Sequence, residues 1–320
     1  MPLALVTTSH SPLLGINPPP ADVERAVEDA FAETRRFIGE FDPELVVIFA
    51  PDHYNGVFYD LLPPFCLGMA ASSIGDYTTR TGPLDVDREA AALVVEHVLA
   101  ADVDLAISER LEVDHGFAQP LEILFGAVAA VPTVPIFINS VAVPLAPVRR
   151  VRRLGHAVGS ALAGLGKRVL VLGSGGLSHD PPVPRLAGAT AQEAERLIAG
   201  RQPSPDERTA REVRVLRAGR AMATGTDDLQ PLNPDWDHLV MRTLAAADFD
   251  TVDGWSTDWF AKEAGNSAHE VRTWIAAYAA LAADGPYRVS QSFYRPIPEW
   301  IAGFGITTAG SSTVHGVEER

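Results

Sequence analysis

The chain has 320 residues, 47% of them apolar and 21% charged, a globular composition with material for one large domain or two modest ones. Its net charge of -15, from 41 acidic against 26 basic residues, disfavours nucleic acid and anionic lipid surfaces, although a local arginine can still dominate a pocket for a small anion. The single cysteine, Cys66, excludes an intrachain disulfide and a cysteine-held zinc, so any metal falls to His, Asp or Glu, and a reducing cytoplasm fits.

The N-terminal run MPLALVTTSHSPLLG lacks a basic leader and reads as a first strand, Leu3–Thr8, not a signal peptide. Residues 22–38 place Val23, Val27, Ala30, Phe31, Thr34 and Phe37 at helical spacing, with Asp22 as the expected N-cap. Leu45–Ala50 is near-continuously apolar, as a strand covered on both faces should be. Helices are predicted over 87–100, 120–130 and 147–164, and strands over 134–140 and 168–173. Alternating strands and helices predict an α/β layered domain. From Thr190 onward the pattern is mostly helical: Ala191–Ala199, 206–218, 234–246 and 269–283. This region reads as helical elaboration of the same domain. The expectation is a single domain over 1–310, with a central mixed sheet flanked by helices, and a polar, frayed tail over 311–320. No apolar stretch approaches the length needed to cross a membrane.

The strand ends carry the chemistry-bearing residues, where α/β sheets usually bind ligands. His10 follows the first strand in TTSHSP, His53 the second in APDHYN, and His179 the fourth in GSGGLSHDPP; His115 opens a helix in EVDHGF. A lone histidine near a turn is ordinarily a local hydrogen-bonding residue. Four in such places point to a site. Two imidazoles and one carboxylate on one face of a metal leave the other face open, a set that suits non-heme iron(II). His10 and His53 supply the imidazoles. For the carboxylate, Glu270 in GNSAHEVRTW competes with its plainer role of complementing a helix N-terminus, and Asp52 is equally suited to capping the next segment. The Gly-rich turn before His179 lacks the Lys and Ser/Thr of a phosphate loop and is expected to allow close packing. His97, His156, His238 and His315 are assigned no site role, and His269 is at most a neighbour of Glu270.

TTSHSP, APDHYN, EVDHGF, GSGGLSHDPP and GNSAHE occur in this order in the type III extradiol dioxygenase superfamily, which the chain resembles from Met1 to about Gly310. The resemblance implies an Fe(II) cofactor held by His10, His53 and Glu270, with His115 and His179 as the paired acid–base histidines and Asp114 orienting His115. It implies O2-dependent opening of a catechol carrying a carboxylated side chain, such as 2,3-dihydroxyphenylpropionate or 2,3-dihydroxycinnamate, by a cytoplasmic homo-oligomer. Protocatechuate cleavage and a metal-dependent hydrolase are the rival readings. The carboxylate needs a cation, and Arg80, Arg185 and Arg295 lie in loop-like segments without one standing out.

Overall fold

The computed structural model describes residues 3–200 and 203–311. In chain order it runs β1 (Leu3–Thr8), α1 (Ala21–Phe41), β2 (Leu45–Ala50), β3 (Phe65–Gly68), β4 (Ala71–Ile74), β5 (Thr81–Pro83) and α2 (Arg88–Ala100). Next come β6 (Ala106–Ser108), β7 (Leu111–Val113), α3 (His115–Phe125), β8 (Thr133–Ile138), α4 (Val148–Ala163) and β9 (Val169–Ser174). The rest comprises α5 (Ala191–Ala199), α6 (Pro205–Thr224), α7 (Pro234–Ala245), α8 (Phe249–Asp253), α9 (Thr257–Ala264), α10 (Val271–Ala282), β10 (Tyr287–Ile297) and β11 (Ala302–Ser311).

The central sheet has eight strands in the order β10-β11-β1-β9-β2-β8-β3-β6. Its middle, β1, β9, β2 and β8, is parallel, while β11 joins β1 antiparallel and β3 joins β8 antiparallel. A small second sheet holds β5, β4 and β7. Side chains alternate across a strand, and here both faces are buried. Ala4, Val6, Val46, Ile48, Leu170 and Leu172 pack under α1 and α3, whereas Leu3, Leu5, Leu45, Val47, Val169 and Val171 pack under α4 and α10. The result is a single mixed α/β domain, with α5 to α9 inserted between β9 and α10.

The predicted strands Leu3–Thr8 and Leu45–Ala50 coincide with β1 and β2, and the other two shift by one or two residues. The short strands β3 to β7 and the helices α8 and α9 were not predicted, α6 runs to Thr224 where the prediction ends at 218, and three further details differ. The first helix is preceded by Pro20, and Asp22 lies in its first turn instead of capping it. The helix predicted over 120–130 starts at His115, because Asp114 caps it, and ends before the left-handed Gly126. The long β10–β11 hairpin was not anticipated; polar, partly exposed residues broke the apolar pattern in β10, and small residues and threonines diluted it in the buried β11. Ser311 is still paired in β11, opposite Tyr287, and the remainder of the expected tail, with His315, lies outside the described residues.

Helix α10 is buried around its whole circumference from Val271 to Leu281. It crosses α4 at close quarters: a Cβ on Gly155 would sit 2.1 Å from the Ala276 carbonyl oxygen, and one on Gly159 would sit 2.1 Å from that of Ala280. Because α10 begins just after Glu270, this crossing sets the position of that carboxylate. Gly155→Ala should lower the unfolding free energy by about 1–3 kcal/mol through overpacking. That loss should prevail although alanine improves helix propensity by about 1 kcal/mol. Urea denaturation measures the balance, and an unchanged midpoint would show that the helices can part without cost.

Candidate active site

The carboxyl ends of the parallel strands meet at one cleft, as the topology requires. Strand β1 delivers His10, β2 delivers His53, and β9 leads through Ser174 and a glycine turn to His179. The short β7 ends at Asp114 and His115, and a 3-10 turn, Ala268–Glu270, places Glu270 at the mouth of α10. All five predicted site residues line this cleft, whose volume is about 670 Å³ including its open mouth.

Glu270, 1% exposed, is the hub. Its Oε1 lies 3.2 Å from His53 Nε2 and 3.1 Å from His179 Nε2, and its Oε2 lies 3.4 Å from His10 Nε2. The Gly176 amide donates to Oε2 at 3.2 Å. His115 stacks on His53 with ring centroids 4.5 Å apart and meets His10 edge-on at 5.3 Å. A Cβ at Gly176 would lie 2.4 Å from His179 Cε1, so the glycine-rich turn serves close approach to the imidazole.

The other ring nitrogens fix the tautomers. His53 Nδ1 donates to Asp114 Oδ2 at 3.0 Å, and His115 Nδ1 donates to Asp76 Oδ2. His179 Nδ1 donates to the Leu177 carbonyl at 2.9 Å. Ser174 Oγ gives its proton to the Gly116 carbonyl at 2.6 Å, so it can only accept from His10 Nδ1 at 3.0 Å. Every Nδ1 is therefore committed as a donor, and the Nε2 atoms of His10, His53 and His179 face Glu270, as donors where the ring is charged and as lone pairs where it is neutral. This corrects one expectation: Asp114 orients His53, and Asp76 orients His115. Asp52 takes the plainer of its two roles, accepting the Asn55, Gly56 and Val57 amides.

Burial holds His10 neutral, pushing its pKa down to about 3. For His53, burial is outweighed by the charges and hydrogen bonds of Asp114 and Glu270, and its pKa rises well above the ordinary value. His179 rises likewise, burial opposing and Glu270 prevailing. Glu270 is held well below the usual carboxylate range, against its burial, by the surrounding histidines. Burial, with Asp114 close by, lifts Asp52 to about 7.

A buried carboxylate ringed by imidazole nitrogens is stable only if positive charge is shared among them, from protons or from a divalent cation. The donor set fits a metal: His10 and His53 present Nε2, and Glu270 presents both oxygens. The ring nitrogens of His10, His53 and His115 also lie within 4.8 Å of one another, but the set with Glu270 adds an anionic oxygen donor to the two imidazoles.

Sequence reasoning missed Asp76, Ser174, Asn55 and Tyr77 around the histidines, and Arg211 and Val215 on α6. It also missed the wall formed by Trp300, Ile301 and Ala302. Ile301 holds φ at 54°, a costly left-handed conformation for a β-branched residue, imposed where the hairpin turns against the cleft. Ser174, inside the GSGG motif, and Asn55, the last residue of APDHYN, carried a nearby signal.

Asp114 is wholly buried and accepts hydrogen bonds from the His53 amide and ring, the Asn55 side chain and the Gly116 amide. Asp114→Ala strands those donors and should cost about 3 kcal/mol or more of stability at neutral pH. Chemical denaturation reads the loss; a deficit within about 0.5 kcal/mol would show that water replaces the carboxylate.

Residues 4–305 match the family model described as the catalytic LigB subunit of aromatic ring-opening dioxygenase. The chain is 63% identical over 309 residues to a 2,3-dihydroxyphenylpropionate/2,3-dihydroxicinnamic acid 1,2-dioxygenase of a Rhodococcus species, covering 97% of this chain and 98% of that protein. It is 60% identical to the protein of the same name from Rhodococcus jostii (strain RHA1), with the same coverage. It is 52% identical to that from Cupriavidus pinatubonensis, covering 98% of this chain and all of its relative. The chain belongs to the LigB family of metal-dependent, extradiol ring-opening dioxygenases.

Proposed function

We propose that the protein uses iron(II) and O2 to open the ring of a catechol bearing a carboxylated side chain, 2,3-dihydroxyphenylpropionate or 2,3-dihydroxycinnamate, in the catabolism of aromatic compounds. The observation that carries this reading is the buried Glu270 carboxylate with the Nε2 atoms of His10 and His53 around it. That is the two-histidine, one-carboxylate set of non-heme iron(II) oxygenases. His10, His53 and Glu270 hold the metal, and His115 and His179 move protons. The substrate comes from the names of the relatives at 52–63% identity over nearly the full chain.

Iron(II), when bound, supplies the one-electron chemistry that lets dioxygen react with an electron-rich ring. The chain's own residues do the rest. His179 Nε2, its Nδ1 proton committed to Leu177, takes a proton from a catechol hydroxyl. His115, its ring steadied by Asp76 and by the edge of Tyr77, enters as the imidazolium and gives its Nε2 proton as the ring opens; exchange with solvent then removes the proton from His179 and restores the one on His115. Pro181, Pro182, Val183 and Pro184 wall the cleft against water on one side, and Val215, Trp300 and Ile301 add further apolar surface. No helix among the described residues is long and apolar enough to cross a membrane. Assembly as a homo-oligomer, implied by the family resemblance, is read by light scattering.

Anaerobic iron(II) reconstitution followed by oxygen uptake on a panel of catechols tests the reading. His53→Ala should lose both iron and activity, and full iron occupancy in it would overturn the ligand set. His115→Ala and His179→Ala should keep iron while turnover falls about 10²–10⁴-fold. Loss of iron from either folded variant would make that histidine a ligand.

The raised pKa of His53 adds a pH dependence. Metal needs the neutral ring, so protons compete, and the competition extends above the ordinary histidine value. Apparent iron(II) affinity should therefore rise as pH increases through and beyond about 6.5. Competition with a chelator at several pH values checks this, and an affinity indifferent to pH would contradict it.

A further inference from the structure

We propose that Arg211 is the anchor for the substrate's side-chain carboxylate; the inference rests on the functional reading above and assigns the recognition end of the same cleft. Arg211 lies on α6, half-buried, and lines the cleft one helical turn before Val215, which lines it too. Apart from the four histidines, it is the cationic side chain among the described residues of the cleft wall. Arg80, Arg185 and Arg295, the arginines that the sequence suggests, are all exposed and lie outside this lining.

The guanidinium is positioned. Its Nη1 donates to Asn55 Oδ1 at 3.0 Å, and Asn55 Nδ2 donates to Asp114 Oδ2 at 2.9 Å. The Asn55 amide has one orientation, because its oxygen must face the arginine and its nitrogen the carboxylate. Asp114 in turn holds the His53 ring. A short chain of hydrogen bonds thus ties Arg211 to the histidine cluster and fixes its placement relative to the reacting end.

Arg211 makes no ion pair with a carboxylate among the described residues, and a guanidinium carries five N–H donors, so a fork remains for a bidentate partner. The chemistry calls for one. The chain carries a net charge of -15, so an anionic catechol is repelled by the molecule as a whole and needs a local cation. Val183, Pro184, Val215 and Ile301 give the same cleft apolar surface, which suits a ring and a short hydrocarbon linker.

The test compares 3-(2,3-dihydroxyphenyl)propionate with 3-propylcatechol, which has a similar linker and no carboxylate, on iron-loaded enzyme at fixed ionic strength. The readout is the ratio of the two kcat/KM values. Wild type should favour the propionate, and Arg211→Gln should lower the ratio about 10- to 100-fold, chiefly through KM. Arg211→Met, which keeps the apolar stem, should do the same and serves if the glutamine variant does not fold. An unchanged ratio, with both substrates losing equally, would make Arg211 structural and overturn the proposal. So would a wild-type enzyme that opens both rings equally well, which would leave the ring-cleavage reading standing. A wild-type enzyme that opens neither ring would instead defeat the functional reading itself.

Discussion

The buried carboxylate of Glu270 is the constraint on which the rest of the site depends. It is held at the start of a helix that solvent does not reach, and three imidazole nitrogens converge on it at 3.1, 3.2 and 3.4 Å. An ionised carboxylate in such surroundings costs several kcal/mol unless positive charge meets it. The histidines can meet it only through protons, because their Nδ1 atoms already donate elsewhere. The site is thus built to hold positive charge at its centre, and under the proposed ligand set proton and metal would compete for the same nitrogens.

Nothing local makes this arrangement. His10, His53 and His179 hang from three neighbouring parallel strands, β1, β2 and β9, and their separation follows from strand spacing. Glu270 arrives from the far side, on a helix whose crossing with α4 has backbone nearly touching backbone at Gly155 and Gly159. The acceptors that fix the tautomers come from yet other segments: Asp76 before the small-sheet strand β5, Asp114 after β7, and Ser174 at the end of β9. Rigid elements carry each ring, and a second layer of hydrogen bonds fixes its rotation.

Legibility in the sequence follows the same division. Four parallel strands were readable because both faces are covered, which leaves an unbroken apolar run such as LVVIFA. The β10–β11 hairpin was not readable: β10 is partly exposed and polar, and β11, although buried along nearly its whole length, is built mostly from Gly, Ala, Thr and Ser, while Pro296 and Gly303 look like turn residues. The five principal site residues were visible because each sits in a short motif at a strand or helix end. Their partners were not, since Asp76 is 39 residues from His115 and Asn55 is 156 from Arg211. Asp114 shows the limit most clearly. The family resemblance paired it with its neighbour His115, yet its carboxylate turns to His53, because an N-cap side chain folds back over its own helix start and away from the next residue's ring.

The cleft thus joins two constructions of different origin. The histidine end is made by strand termini, and its geometry cannot change without altering strand pairing. Another part of the wall is made by α6 and the turn of the β10–β11 hairpin, which pack on one another. A substitution on α6 can change what the wall recognises while the strands keep their register. The two ends are still not independent, because Asn55 joins Arg211 to Asp114 through one amide. A change in charge at the recognition end is therefore felt at the His53 ring, through a hydrogen bond whose acceptor is already fully committed.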